Sequence, residues 1–155
     1  MLPHAPTVLR GFGQLGTAIL SHAALDARLR ELVILRVGRR SPAPYEWQQH
    51  VPIGRACGVS DEEIAALERD DPGASCFDER DRVVLQLVDE LLVGPRASDA
   101  TLAATRRYFS DREVCEAVLT VGFYMMVARF LETTGVDLER EGSDPMAAMR
   151  RVMRD

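Results

Sequence analysis

The sequence predicts an all-α protein, and three features point that way. Apolar residues recur at helical spacing, Ser and Asp stand ahead of acidic first turns, and Gly or Pro closes one segment after another. No stretch reads convincingly as a strand. At 155 residues the chain makes a single domain, residues 1–155, large enough to bury roughly 70% of its unfolded surface without disulfides or metal staples.

A first helix is expected after Pro6, where Val8, Phe12, Leu15, Ile19 and Leu20 form a helical stripe. Residues 25–38 are apolar enough for a buried strand, yet their length and the helix formers Ala27, Arg28, Leu29, Arg30 and Glu31 favour a second helix. Pro44 suits the first turn of a third helix that runs to Cys57 and stops at Gly58. Pro52 inside it removes one helix hydrogen bond and predicts a bend.

Ser60-Asp61-Glu62-Glu63 is a capping box that opens a short helix to about Glu68. After a loop at 70–75, residues 78–93 form an amphipathic helix ended by Gly94-Pro95. Ser98 caps a helix to about Phe109, and Ser110-Asp111-Arg112-Glu113 is a second capping box. The helix it opens, to about Thr134, is apolar nearly all round between Val114 and Leu131. Such a helix is either central to the core or shared with another subunit. Gly135 ends it. Residues 137–155 are expected to be a polar C-terminal arm, loose or docked on a neighbour through Met146, Met149, Val152 and Met153.

Composition excludes several functions. The net charge of −5 offers no basic field for nucleic acid or an anionic membrane. All 19 cationic residues are Arg, so a catalytic or Schiff-base lysine is excluded. Cys57, Cys76 and Cys115 are three in number, widely spaced, and form no Cys-x-x-Cys. Free thiols fit a reducing cytoplasm. The N-terminus lacks the basic start and apolar run of a signal peptide, and no uninterrupted apolar stretch approaches 18 residues, so neither export nor a membrane span is expected. Gly11-Phe12-Gly13-Gln14-Leu15-Gly16 matches the dinucleotide pattern G-x-G-x-x-G, but no strand precedes it and no βαβ unit follows. These glycines are expected to permit close helix packing instead.

The densest cluster of functional groups is the segment 42–50. On a helix, Glu46 and His50 lie one turn apart on one face, with Cys57 two turns beyond. A carboxylate beside an imidazole orients the ring and favours its charged form, which makes a general acid/base pair. The same spacing is also that of an ordinary surface ion pair. Glu31 stands among apolar neighbours and is either turned to solvent or buried with Arg30 or His50. Tyr124, in an apolar helix, needs a polar partner if buried. Glu31, Glu46 and His50 could also converge on a metal.

Taken together, Leu25-Asp26-x3-Arg30-Glu31-Leu32-Val33-Ile34-Leu35, Tyr45-Glu46-Trp47-x2-His50, Ala56-Cys57-Gly58-Val59-Ser60-x2-Glu63-Ile64 and Val121-Gly122-Phe123-Tyr124-x3-Ala128-Arg129 resemble the carboxymuconolactone decarboxylase and alkylhydroperoxidase D-like (AhpD-like) superfamily. The resemblance covers about residues 25–136. Its peroxidase branch uses Glu, Cys-x-x-Cys and His. Glu31 and His50 stand where that Glu and His would, whereas the two cysteine positions hold Ala43 and Glu46. Dithiol peroxidase chemistry is therefore disfavoured. The decarboxylase branch, like this chain, has Glu four residues before His. Glu31 and the segment 70–107 set the chain apart from decarboxylases proper.

The resemblance implies a cofactor-free, lyase-type enzyme acting on a small carboxylated molecule. His50 is the expected acid/base, Glu46 its orienter or partner and Glu31 a second carboxylate. Tyr45, Trp47 and Tyr124 are expected to wall the pocket, and Arg30 or Arg36 to bind a substrate carboxylate. No metal or other cofactor is expected. A homo-oligomer, trimeric, hexameric or dimeric, is implied. The rival expectation is a non-catalytic oligomeric binding or scaffold protein.

Overall fold

The computed structural model describes residues 2–41 and 43–135, and the C-terminal arm expected at 137–155 lies outside them. After a 3₁₀ turn at Leu2–His4 come seven helices and, among the described residues, no strand. They are α1 (Pro6–His22), α2 (Ala27–Arg40), α3 (Pro44–Ala56), α4 (Asp61–Glu68), α5 (Glu79–Val93), α6 (Asp99–Thr105) and α7 (Asp111–Thr134). The all-α expectation holds.

The predicted caps form. Ser60, Asp78 and Ser110 each accept from the backbone N–H three residues on, and Glu63, Asp81 and Glu113 close the box by reaching back. Each box satisfies two of the backbone donors that a helix start leaves orphaned. Gly135 ends α7 in the left-handed region, at φ 63°. α6 stops at Thr105, four residues before the expected end. The three residues after it turn, so that Phe109 enters the core and Ser110 takes the extended backbone its cap requires. α3 continues through Pro52 as a single helix.

α2 is the axis of the bundle. It packs against α3, α4, α5 and α7, which leaves every residue from Leu29 to Gly38 buried. Three of these are charged, and each has a partner. Arg36 grips Asp89 through Nε and Nη2 at 2.7 and 2.8 Å and Asp70 through Nη1 at 2.5 Å. Arg30 and Glu31 pair with each other. At the N-terminal end of the helix, Arg28 bonds both carboxylate oxygens of Asp81 at 2.9 and 2.8 Å and also contacts Glu63. Gly38 sets how closely α3 can approach: a Cβ there would lie 3.4 Å from Glu46 Cβ and 3.4 Å from Trp47 N.

Two expectations need correction. Gly11 and Gly13 do not serve close packing, because a side chain at either would meet open space; of the three glycines in that pattern Gly16 is the buried one. Arg36 is not poised for a substrate carboxylate, since Asp89 and Asp70 occupy its guanidinium. α7 is long and apolar enough to cross a bilayer, but here it packs on α1, α2, α3 and α5. Its outward side leaves Val118, Leu119 and Met126 exposed.

Candidate active site

The crossing of α2, α3 and α7 brings ionisable groups into the interior. Glu31 is 0% exposed, Glu46 6%, His50 7%, Arg30 8% and Tyr124 4%, so neither Glu46 nor His50 stands in bulk solvent. A buried charge is tolerated where it is paired and hydrogen-bonded. Here the pairing is nearly complete. Glu31 Oε1 accepts from Arg30 Nε at 3.3 Å and Nη2 at 3.2 Å, and its Oε2 lies 2.8 Å from His50 Nδ1.

The two carboxylates therefore stand in different relations to the imidazole. Glu31, from the crossing helix, bonds to Nδ1 and fixes the plane of the ring. With Nδ1–H donated to Glu31, the neutral ring keeps its lone pair on Nε2. Glu46, one turn back on the same helix, leaves its Oε2 3.9 Å from Nε2, too far for a direct hydrogen bond. The groups that face one another across this gap are those whose protons can move. The Tyr124 ring meets the His50 ring edge to face, with centroids 5.0 Å apart and planes at 88°. That contact closes the site from the α7 side.

Burial pushes the Glu46 carboxyl above its ordinary value of 4.5, and the nearby His50 opposes the shift. Burial likewise holds the Tyr124 hydroxyl well above its usual value, reinforced by Glu31 and Glu46, so this phenol stays protonated. For Glu46 the sign follows directly. A carboxyl whose folded value is raised stabilises the fold relative to its ionised form at low pH. That advantage is lost as pH rises from about 4.5 through the raised value. Glu46→Gln is expected to remove this decline: urea midpoints match those of the parent below pH 4.5 and exceed them at neutral pH.

Of the other expected site residues, Arg30 and Tyr124 join the cluster. Tyr45 is half-buried on α3. Trp47 lines a neighbouring cleft of about 550 Å³ with Gly38, Ala43 and Pro44. Cys57 also reaches the cluster, its Sγ 3.9 Å from Arg30 Nη2. Burial and the charge of Glu31 raise its thiol, which keeps it from the thiolate form a peroxidase needs. Among the described residues no set of three or more His, Cys, Asp or Glu side chains is arranged to hold a metal ion. Gln49 was not singled out from the sequence, although it shares the Glu46 and His50 face of α3; polarity on that face was the available signal.

Comparison with known proteins bears on this arrangement. The profile of the carboxymuconolactone decarboxylase family matches residues 6–90, which hold Arg30, Glu31, Glu46 and His50. No curated protein sequence matches the chain. Among solved structures, a protein of unknown function from Agrobacterium tumefaciens, described as an antioxidant defence protein AhpD, superposes with a TM-score of 0.80 at 21% identity, over 90% of this chain and 95% of that one. A peroxidase-related protein with an alkylhydroperoxidase AhpD core, from Ralstonia eutropha JMP134, gives 0.80 at 19% identity, over 90% and 75%. A cysteine-to-alanine variant of the debrominase Bmp8, in complex with 2,3,4-tribromopyrrole, gives 0.77 at 15% identity, over 99% and 78%. At these identities the likeness is one of fold.

Proposed function

The chain belongs to the carboxymuconolactone decarboxylase family, and from that premise we propose that it is a cofactor-free acid/base enzyme that removes CO2 from a small carboxylated molecule. The observation that carries this reading is the buried three-residue relay: Glu31 bonded to Nδ1 of His50, with Nε2 facing Glu46 across 3.9 Å. In the proposed reaction the bond between the carboxylate and its carbon breaks heterolytically, CO2 leaves, and the electron pair passes into an adjacent carbonyl as an enolate. In its imidazolium form, with Nδ1–H held by Glu31, His50 delivers the Nε2 proton to the carbon that lost CO2, or to the enolate's conjugate position. One proton is taken up for each CO2 released, and solvent restores it to His50. Glu31 acts as a positioning residue, because it holds the donor while its own charge is matched by Arg30. In a buried site these fixed charges act more strongly on the developing enolate than they would in water.

Because the relay is almost fully enclosed, substrate must reach it past the α2–α3 crossing. The cleft beside Gly38 and Trp47 adjoins the backbone of Glu46 and is the proposed entrance, with Trp47 as its aromatic wall. The reaction is tested by incubating the protein in D2O with carboxymuconolactone and simple β-keto acids. CO2 release accompanied by one deuterium on the product is expected. CO2 release at the uncatalysed rate for every acid would reject the reading.

The protein is further proposed to act as a homo-oligomer. The exposed Val118, Leu119 and Met126 on α7, together with half-buried Met125, support this reading as an apolar surface suited to a second copy. Light scattering on the intact chain is expected to give a multiple of 17.2 kDa, and Leu119→Glu to lower it. A monomer at micromolar concentration would contradict the proposal.

A further inference from the structure

Gln49 lies on α3 between Glu46 and His50 in the chain. Glu46, Gln49 and His50 stand at i, i+3 and i+4, which places all three on one side of the helix. Gln49 itself is half-buried, yet its Oε1 is shielded from solvent and accepts no hydrogen bond. Among the described residues it is the buried side-chain oxygen or nitrogen left without a partner. Buried polar atoms are nearly always paired, because an unpaired one forfeits its water and receives nothing in exchange. The donors of the buried cluster are already engaged: Arg30 Nε and Nη2 and His50 Nδ1 are all directed at Glu31.

We propose that Gln49 is a specificity-determining residue, whose Oε1 accepts a hydrogen bond from a hydroxyl or N–H of the substrate held beside His50. The ligand class that follows is a carboxylic acid bearing a hydroxyl or amine, the acid group lying toward His50 and Glu46 and the donor toward Gln49. A site built around an acceptor rejects analogues that lack the donor, since binding them leaves the buried oxygen still unpaired. This inference rests on the location of the site proposed above, but not on the reaction assigned to it.

Two variants and two probe acids test it. Gln49→Leu and Gln49→Met remove the carboxamide while keeping bulk on the buried side. If Oε1 awaits a ligand, both variants unfold at a temperature equal to the parent's or about 2–4 °C higher. A structural Gln49 would instead make both variants melt lower, and that result overturns the proposal. In calorimetric titration the parent is expected to bind 3-hydroxybenzoate at least tenfold more tightly than 3-methylbenzoate, which has the same shape and no donor. Both variants are expected to bind the two acids within twofold of each other. Equal affinities in the parent, or no binding of either acid at millimolar concentration, also overturn it. If this discrimination stands while no acid loses CO2, the proposed reaction falls and the assignment of Gln49 remains.

Discussion

Glu31→Leu is expected to destabilise the protein by about 3–5 kcal/mol, the usual cost of removing one partner from a buried ion pair. A domain of this kind has roughly 5–15 kcal/mol in total, so the loss is a large fraction of it. The reasoning starts from exposure. Glu31 has no solvent contact, and Arg30 directs Nε and Nη2 at its Oε1 from a nearly buried position. Without the carboxylate, Arg30 becomes a buried cation with no counter-charge, and His50 loses the acceptor for Nδ1–H. Arg30→Met should cost a similar amount, because it strands Glu31 instead. The double variant Arg30→Met/Glu31→Leu replaces the pair with apolar volume and should recover most of either loss. Urea unfolding of the four proteins measures the coupling. A Glu31→Leu cost below about 1 kcal/mol would mean that the buried pair does not hold α2 as described.

The second large effect is on turnover. His50→Ala is expected to reduce kcat by about 10²–10⁴, the range for removing a general acid/base, with any acid that yields CO2 in the deuterium assay. Glu31→Gln should fall between this variant and the parent, because a neutral amide still accepts from Nδ1 but no longer balances a charged imidazole. Glu46→Gln separates the two carboxylates. It should lower kcat if Glu46 exchanges a proton across the 3.9 Å gap, and mainly KM if it only shapes the cavity. Full turnover by His50→Ala would remove the acid/base assignment.

How much of this was legible beforehand depended on distance along the chain. Helix starts and stops were legible because they are local: Ser60, Ser110 and Gly135 act within four residues of themselves. The end of α6 was less legible because its stop is tertiary: the chain turns over 106–108 and Phe109 enters the core. At the site, the i,i+4 relation drew Glu46 and His50 together, and the fold does place them on one face. Which carboxylate bonds the imidazole could not be read that way. Glu31 is 19 residues from His50, and only the crossing of α2 over α3, at a distance Gly38 permits, brings them to 2.8 Å. The family resemblance pointed to Glu31 without supplying that geometry. The unpaired oxygen of Gln49 left no trace in the sequence, since burial without a partner is a property of packing alone.

The carboxylates that pair with Arg28 are also the closing residues of two capping boxes. Glu63 accepts from Ser60 N with Oε2 and meets Arg28 with Oε1; Asp81 Oδ2 accepts from Asp78 N and from Arg28 together. The side chains that begin α4 and α5 are thus the side chains that moor both helices to the root of α2. Helix initiation and docking cannot be separated at this joint. Fraying of either first turn therefore gives up a contact with Arg28 as well as a cap.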